Sequence, residues 1–271
     1  MCATCGCGGD GAVITMAGHD HVHQHDHQHD HPFDHVHTET ITLEQKVLAK
    51  NDLVAEENRR WLAERNILAL NMTSSPGAGK TTLLERTIRD LGHQRPIVVI
   101  EGDQETLLDA TRIRAAGARA VQINTGAGCH LDAWMVRRAL EVLDPEPGSL
   151  LFIENVGNLV CPAMFDLGEN SKVVVISVTE GADKPLKYPH MFAAAGLVLV
   201  NKTDLNPYVD FDLDTCTGYA RSLNPDVSIL PLSATRGDGV RDWYTWIEAR
   251  ANRSRHLRIP SDSVDNTKQP E

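Results

Sequence analysis

The chain has 271 residues, a formal net charge of −11, 41% hydrophobic and 23% charged residues. That balance leaves no basic stripe to neutralise phosphates, which argues against bulk nucleic-acid binding, and no stretch approaches the roughly eighteen uninterrupted apolar residues of a membrane span. No basic stretch followed by an apolar core opens the sequence, so it does not read as a secretory signal; its six cysteines are expected in a reducing cytoplasm, where clustered cysteines are more often metal ligands or redox groups than disulfides.

Residues 1–40 differ from the rest. They hold three cysteines, nine histidines and almost no large apolar residue, so they cannot bury enough surface to offset ordering and read as a disordered Cys/His-rich metal-binding segment. In Cys2-Ala3-Thr4-Cys5-Gly6-Cys7 three thiolates can close around one soft or borderline cation. Thiolates with an amine nitrogen suit Ni²⁺ or Cu²⁺, whereas a closed tetrahedral zinc site wants four ligands. The alternating His19, His21, His23, His25, His27, His29 and His31 would line one edge of an extended chain. They read as a weak, multi-ion buffer for divalent metals rather than a defined site.

Residues 43–65 read as a helix, with Thr42 and Gln45 as a capping pair at its start. From residue 67 short apolar runs at 67–72, 97–100, 120–123, 150–153, 173–178, 197–200 and 229–232 alternate with amphipathic stretches such as 81–91, 131–143 and 213–223. Runs apolar on both faces, alternating with helices, predict an α/β fold: a mainly parallel sheet flanked by helices, spanning 41–250, with a polar flexible tail over 251–271.

The first apolar run leads into Ser74-Ser75-Pro76-Gly77-Ala78-Gly79-Lys80-Thr81-Thr82 and then a helical pattern, the context a phosphate-binding P-loop requires. Ser74 stands where the first glycine is usual, but the Gly-Lys-Thr core is intact. Backbone amides of Gly77, Ala78, Gly79 and Thr82 would cradle phosphates, Lys80 would reach the β- and γ-phosphates, and Thr81 would ligate Mg²⁺. The run at 197–200 ends in Asn201-Lys202-Thr203-Asp204. The Asp204 carboxylate can accept from N1–H and the 2-amino group of guanine, a donor pair adenine lacks, so GTP and GDP are the expected nucleotides. Asn201 and Lys202 would brace the loop and cover the base, and Ser233-Ala234, after the last apolar run, would contact the guanine oxygen. Glu154-Asn155-Val156-Gly157 reads as a switch in which Glu154 holds Mg²⁺ and the Gly157 N–H senses the γ-phosphate. Asp103 is either a second metal-side contact or a solvated strand-end carboxylate.

Cys129 and His130 open the predicted helix at 131–143, and Cys161 lies in the same post-strand segment as Glu154. Either these are packed core thiols or they form a metal site whose ligand moves when the γ-phosphate leaves. Adjacent Cys129 and His130 suit a loop or a subunit interface better than one helix face. Cys216 and His93 carry no functional reading.

The P-loop, the Cys-x-x-Cys-Gly-Cys head, the histidine tract, Glu101-Gly102-Asp103, Gly128-Cys129-His130-Leu131-Asp132, the segment from Glu154 to Cys161-Pro162, Thr179-Glu180-Gly181, Asp183-Lys184-Pro185 and Asn201-Lys202-Thr203-Asp204 together resemble the HypB hydrogenase maturation GTPases, over essentially the whole chain to about residue 250. The resemblance implies a P-loop GTPase of the signal-recognition class that dimerises with GTP, with Cys129, His130 and Cys161 meeting their symmetry mates at the subunit interface. It also implies a tighter nickel site at the cysteine head and partnership with HypA and the large-subunit precursor of [NiFe]-hydrogenase; Zn²⁺ stands beside Ni²⁺ as a second expected ion. Two other readings stand beside it. The urease accessory GTPases share the P-loop and a histidine-rich head but carry Cys-Pro-His at their metal site. A passive nickel buffer would need only a vestigial nucleotide site. With neither a water-positioning glutamine nor an arginine finger in view, hydrolysis is expected to be slow, because lacking the latter alone costs about 10³–10⁵ in rate.

Overall fold

The computed structural model describes residues 34–103, 108–126 and 128–256; the Cys2, Cys5, Cys7 head and the histidine tract lie outside them. Seven strands form one parallel sheet in the order β3-β2-β4-β1-β5-β6-β7. They are β1 (Leu68–Ser74), β2 (Ile97–Asp103), β3 (Arg119–Asn124), β4 (Leu150–Glu154), β5 (Ser171–Ser177), β6 (Ala195–Asn201) and β7 (Ser228–Pro231). All seven coincide with the apolar runs of the sequence. Because the sheet is parallel, every post-strand loop emerges at one edge, where open α/β sheets place ligands.

The helices are α1 (Asp34–Glu64), α2 (Lys80–Leu91), α3 (Leu108–Ala115), α4 (Ala133–Leu143), α5 (Lys184–Lys187), α6 (Pro189–Ala194), α7 (Leu213–Leu223) and α8 (Val240–His256). Strand alternation divides the core between the two faces. Leu68, Leu70, Met72, Leu150 and Phe152 pack with Leu83, Leu84 and Ile88 of α2 and Trp243 and Ile247 of α8. Ala69, Leu151 and Ile153 pack on the other face with Leu62 of α1 and Val136 and Leu140 of α4. A third cluster joins β5 and β6 to α6 and α7 and takes in Cys216, whose thiol burial pushes up to about 11. This is the inert, packed cysteine the sequence reading left without a function.

Three boundaries move. Helix α1 starts at Asp34, so Thr42 is interior to it rather than at its start, and a domain edge at residue 40 falls inside a helix. Helix α8 runs past residue 250, with Ala251 buried, so the boundary expected at 251 falls inside a helix; residues 257–271 of the expected tail lie outside the described residues. Helix α4 begins at Ala133 rather than 131, because the Asp132 carboxylate accepts from the Met135 N–H at 2.7 Å and fixes the start. Cys129 and His130 are therefore loop residues, as adjacent ligands require.

Buried asparagines replace apolar contacts between the sheet edge and the layer of α1 and α4. Asn58 of α1 donates to the carbonyls of Ala133 and Leu167 at 2.8 and 3.1 Å. Asn51 accepts from the Ala133 N–H at 2.9 Å and donates to the Asp166 carbonyl at 2.8 Å. These bonds satisfy helix-end and loop backbone that water does not reach. They also fix the loops after β3 and β4 against α1.

Candidate functional site

At the sheet edge the P-loop, the ends of β2 and β4 and Lys202 line a cleft of about 550 Å³. Gly77 and Gly79 take φ of +77° and +94°, the left-handed region where glycine is favoured. Gly79 has a second reason: a Cβ there would lie 2.5 Å from Asn201 Nδ2. Asn201 braces the loop by donating to the Ala78 carbonyl at 2.9 Å, while its Oδ1 accepts from the N–H groups of Lys202 and Ala234 at 2.8 and 3.0 Å. The Lys202 ammonium donates to the Gly77 carbonyl at 2.7 Å. Asp204 is held by Ser233, whose hydroxyl donates to Oδ1 at 2.6 Å. The Asn201–Asp204 loop and the Ser233–Ala234 turn thus meet beside the P-loop, though Asp204, Ser233 and Ala234 lie beyond the cleft lining itself.

Lys80, Thr81 and Glu154 form one cluster. Lys80 Nζ lies 3.2 Å from Glu154 Oε1, and the Thr81 hydroxyl donates to the same oxygen at 2.7 Å. Asp103 lines the cleft near them. The sequence reading gave no role to Glu101, Asp109 or Arg112, which line it too. Glu101 pairs in register with Glu154 on the neighbouring strand and is buried. Burial first, and then the charges of Glu154, Asp109 and Asp103, push its carboxyl up to about 8, against the pull of Lys80. Its spacing of two from Asp103, which sets both on one strand face, was the available signal. Asp109 accepts from the Thr81 hydroxyl at 3.2 Å, and Arg112 bridges Glu85 and Asp109 at 2.9 and 3.1 Å; both sit on α3, and nothing local marks them. The outer oxygens of Glu101 and Glu154 are buried without a hydrogen-bond partner. The unsatisfied Glu154 oxygen beside the Thr81 hydroxyl is a hard donor pair that suits Mg²⁺.

The second centre lies on the loops after β3 and β4. Cys129, His130 and Cys161 bring three ligand atoms within 4.8 Å of one another, the one such group of three or more among the described residues. The two sulfurs are 2.8 Å apart, and Cys129 Sγ is 3.7 Å from His130 Nδ1. None of the described cysteines is in a disulfide. The His130 ring stacks on Phe165 at 4.0 Å between centroids. Burial holds its pKa below the ordinary histidine value, opposed by Asp132, so the neutral, ligating form is favoured. Two sulfurs and an imidazole suit a borderline divalent ion such as Ni²⁺ or Zn²⁺. Phe165 carried no signal of its own, since its role comes only from the fold.

Residues flanking the two centres are in contact. A Cβ on Gly157 would lie 3.1 Å from Pro76 of the P-loop, and one on Gly102 would lie 2.8 Å from the Leu131 side chain beside His130. The Thr125 N–H donates to the Asp103 carbonyl at 3.0 Å, and its hydroxyl donates to the Gly128 carbonyl at 2.8 Å.

Residues 68–231 match the CobW/HypB/UreG nucleotide-binding domain. The chain is 57% identical over 224 residues to the hydrogenase maturation factor HypB of Azotobacter chroococcum, covering 83% of this chain and 73% of that protein. Among solved structures it is similar to HypB from Archaeoglobus fulgidus, with 40% identity, a TM-score of 0.71, and 75% and 100% of the two chains covered. It is also similar to HypB from Helicobacter pylori in complex with nickel, with 37% identity, a TM-score of 0.72, and 75% and 96% covered. With a phosphate cleft and a Cys-His-Cys cluster on one sheet edge, and with these relatives, the chain belongs to the HypB family of hydrogenase maturation factors.

Proposed function

We propose that the protein is a cytoplasmic nickel metallochaperone that binds GTP, hydrolyses it to GDP and phosphate, and uses the turnover to time nickel release toward the large-subunit precursor of a [NiFe]-hydrogenase. The observation that carries this reading is that one short stretch running from the end of β4 bears Glu154 in the phosphate cleft and Cys161 in the metal cluster. When the triphosphate enters, Lys80 leaves Glu154 for the β- and γ-phosphates, and the P-loop amides and the N-terminus of α2 receive their oxygens. Thr81, Glu154 and Asp103 would hold Mg²⁺, which supplies charge neutralisation on the phosphates. Gly157, against Pro76, senses whether the γ-phosphate is present, and the segment carries that information to Cys161. Asp204 selects guanine through its two acceptor oxygens.

Cys129, His130 and Cys161 bind nickel as cargo, with zinc a competitor for the same donors. Three ligands leave the coordination incomplete, and Val160 and Met164, which flank Cys161, are exposed. Both features fit a GTP-dependent homodimer that places two clusters face to face. A HypA-type chaperone would receive or supply the metal. The Lys80, Thr81 and Glu154 contacts favour an active nucleotide site over a passive buffer. The experiment is single-turnover GTP hydrolysis with oligomer mass measured in parallel, with and without nickel. The expectation is slow turnover that nickel changes and that Lys80→Ala lowers by about 10²–10³-fold; nickel-insensitive hydrolysis in an unchanged oligomer would defeat the proposal.

A further inference from the structure

The three cluster ligands come from two segments 32 residues apart, and two asparagines cross between them. Asn155 Oδ1 accepts from the Leu131 N–H at 3.2 Å, and Asn158 Nδ2 donates to the Cys129 carbonyl at 3.2 Å. Each is oriented by a second bond. Asn155 donates to Asn71 of β1 at 3.3 Å, and Asn158 Oδ1 accepts from the Val160 N–H at 2.8 Å. Between them stands Gly157, packed on Pro76 of the P-loop. A side chain ligand to a metal is only as well placed as its own backbone, and outer hydrogen bonds that fix ligand backbone are worth about 10–100-fold in metal affinity.

We infer that Asn158 is a positioning residue for the metal centre: its bond to the Cys129 carbonyl holds Cys129 and His130 against Cys161, and displacement of the 154–158 segment by nucleotide makes or breaks that bond. Asn155 is the inner strut of the same brace, anchored to the sheet rather than to the exposed turn. Without the Asn158 bond the loop after β3 would have to be ordered by the metal itself, and the entropy cost would fall on binding. The inference rests on the proposed link between nucleotide state and metal affinity. It predicts that Asn158→Ala weakens the tighter nucleotide state more than the weaker one.

The test uses the full chain carrying Cys2→Ala, Cys5→Ala and Cys7→Ala, so that thiolate-to-nickel absorption reports the Cys129–Cys161 cluster and not the head or the histidine tract. Nickel affinity is measured with GDP and with a non-hydrolysable GTP analogue. Asn158→Ala should keep the absorption band at saturation, lose about 10–100-fold in affinity in the tighter state, and shrink the ratio between the two states by at least half. Asn158→Ser, which can still cap the Val160 N–H but is too short to reach Cys129, should behave the same way, separating the lost brace from a damaged turn. Unchanged affinity in both states, an equal loss in both, or disappearance of the band would overturn the inference. A parent protein with the same affinity in both states would overturn it together with the proposed coupling, whereas a state-dependent parent with an unaltered Asn158→Ala variant would sink the inference alone.

Discussion

The phosphate half of the nucleotide site is made largely of consecutive backbone: the stretch from the end of β1 into the first turn of α2, two left-handed glycines, and one asparagine that reaches over from β6 to tie the loop down. The metal cluster a short distance along the same sheet edge is made of side chains from two loops, joined across 32 residues by hydrogen bonds to asparagine amides. A backbone cradle is rigid because its geometry is covalent and its brace is buried; a cluster assembled from separated loops is only as fixed as the bonds between them. Under the proposed function, the difference would put sensing in the first region and response in the second.

The comparison is broken most sharply at the guanine loop. If Asp204 selects the base through its carboxylate, Asp204→Ala should lower the preference for GTP over ATP by about 10⁴-fold, measured as the ratio of nucleotide affinities, with metal binding at the cluster intact. Next is the cradle's cation. Lys80→Ala should reduce GTP hydrolysis by about 10²–10³-fold, the scale for deleting one preorganised charge-stabilising group, and leave nickel affinity in the nucleotide-free state within about twofold by titration. On the metal side, Cys161→Ala should weaken nickel binding at the cluster by at least about 100-fold, since losing a ligand exceeds the loss of an outer partner. It should also leave hydrolysis indifferent to nickel; persistent nickel sensitivity would dissolve the division between the two regions.

The smallest effect is in pH. Folded Glu101 holds its proton up to about 8, against 4.5 for an ordinary glutamate, so between those values the folded chain binds more protons than the unfolded one and stability falls as pH rises. The melting temperature of the metal- and nucleotide-free protein should therefore drop across that window. Glu101→Gln, which is neutral throughout, should flatten the drop, with a gain of about 2–4 °C for each kcal/mol recovered at the upper end. A variant whose pH profile matches the parent would show that the Glu101 carboxyl is not held protonated beside Glu154.

Local chemistry made much of this molecule legible. Each strand is an apolar run, because a strand buried on both faces has little choice of side chain. The P-loop and the Asn201–Asp204 loop are contiguous stretches whose function lies in their own backbone and nearest side chains, so their spacing alone pointed to phosphate and guanine. Cys129, His130 and Cys161 were visible as ligand types, but their spacing did not show that the two loops bearing them converge. The starts of α1 and α4 and the end of α8 were misjudged or left undrawn, because caps and packing rather than propensity set helix ends. Asp109, Arg112, Phe165 and the crossing bonds of Asn155 and Asn158 had no local signature at all. The sequence by itself determined the sheet, the P-loop and the Asn201–Asp204 loop, since each is written in neighbouring residues. Only the tertiary structure decided that Glu101 faces Glu154, that two distant loops meet at three ligands, and that asparagines span the gap, because such contacts depend on which loops the strand order 3-2-4-1 brings side by side.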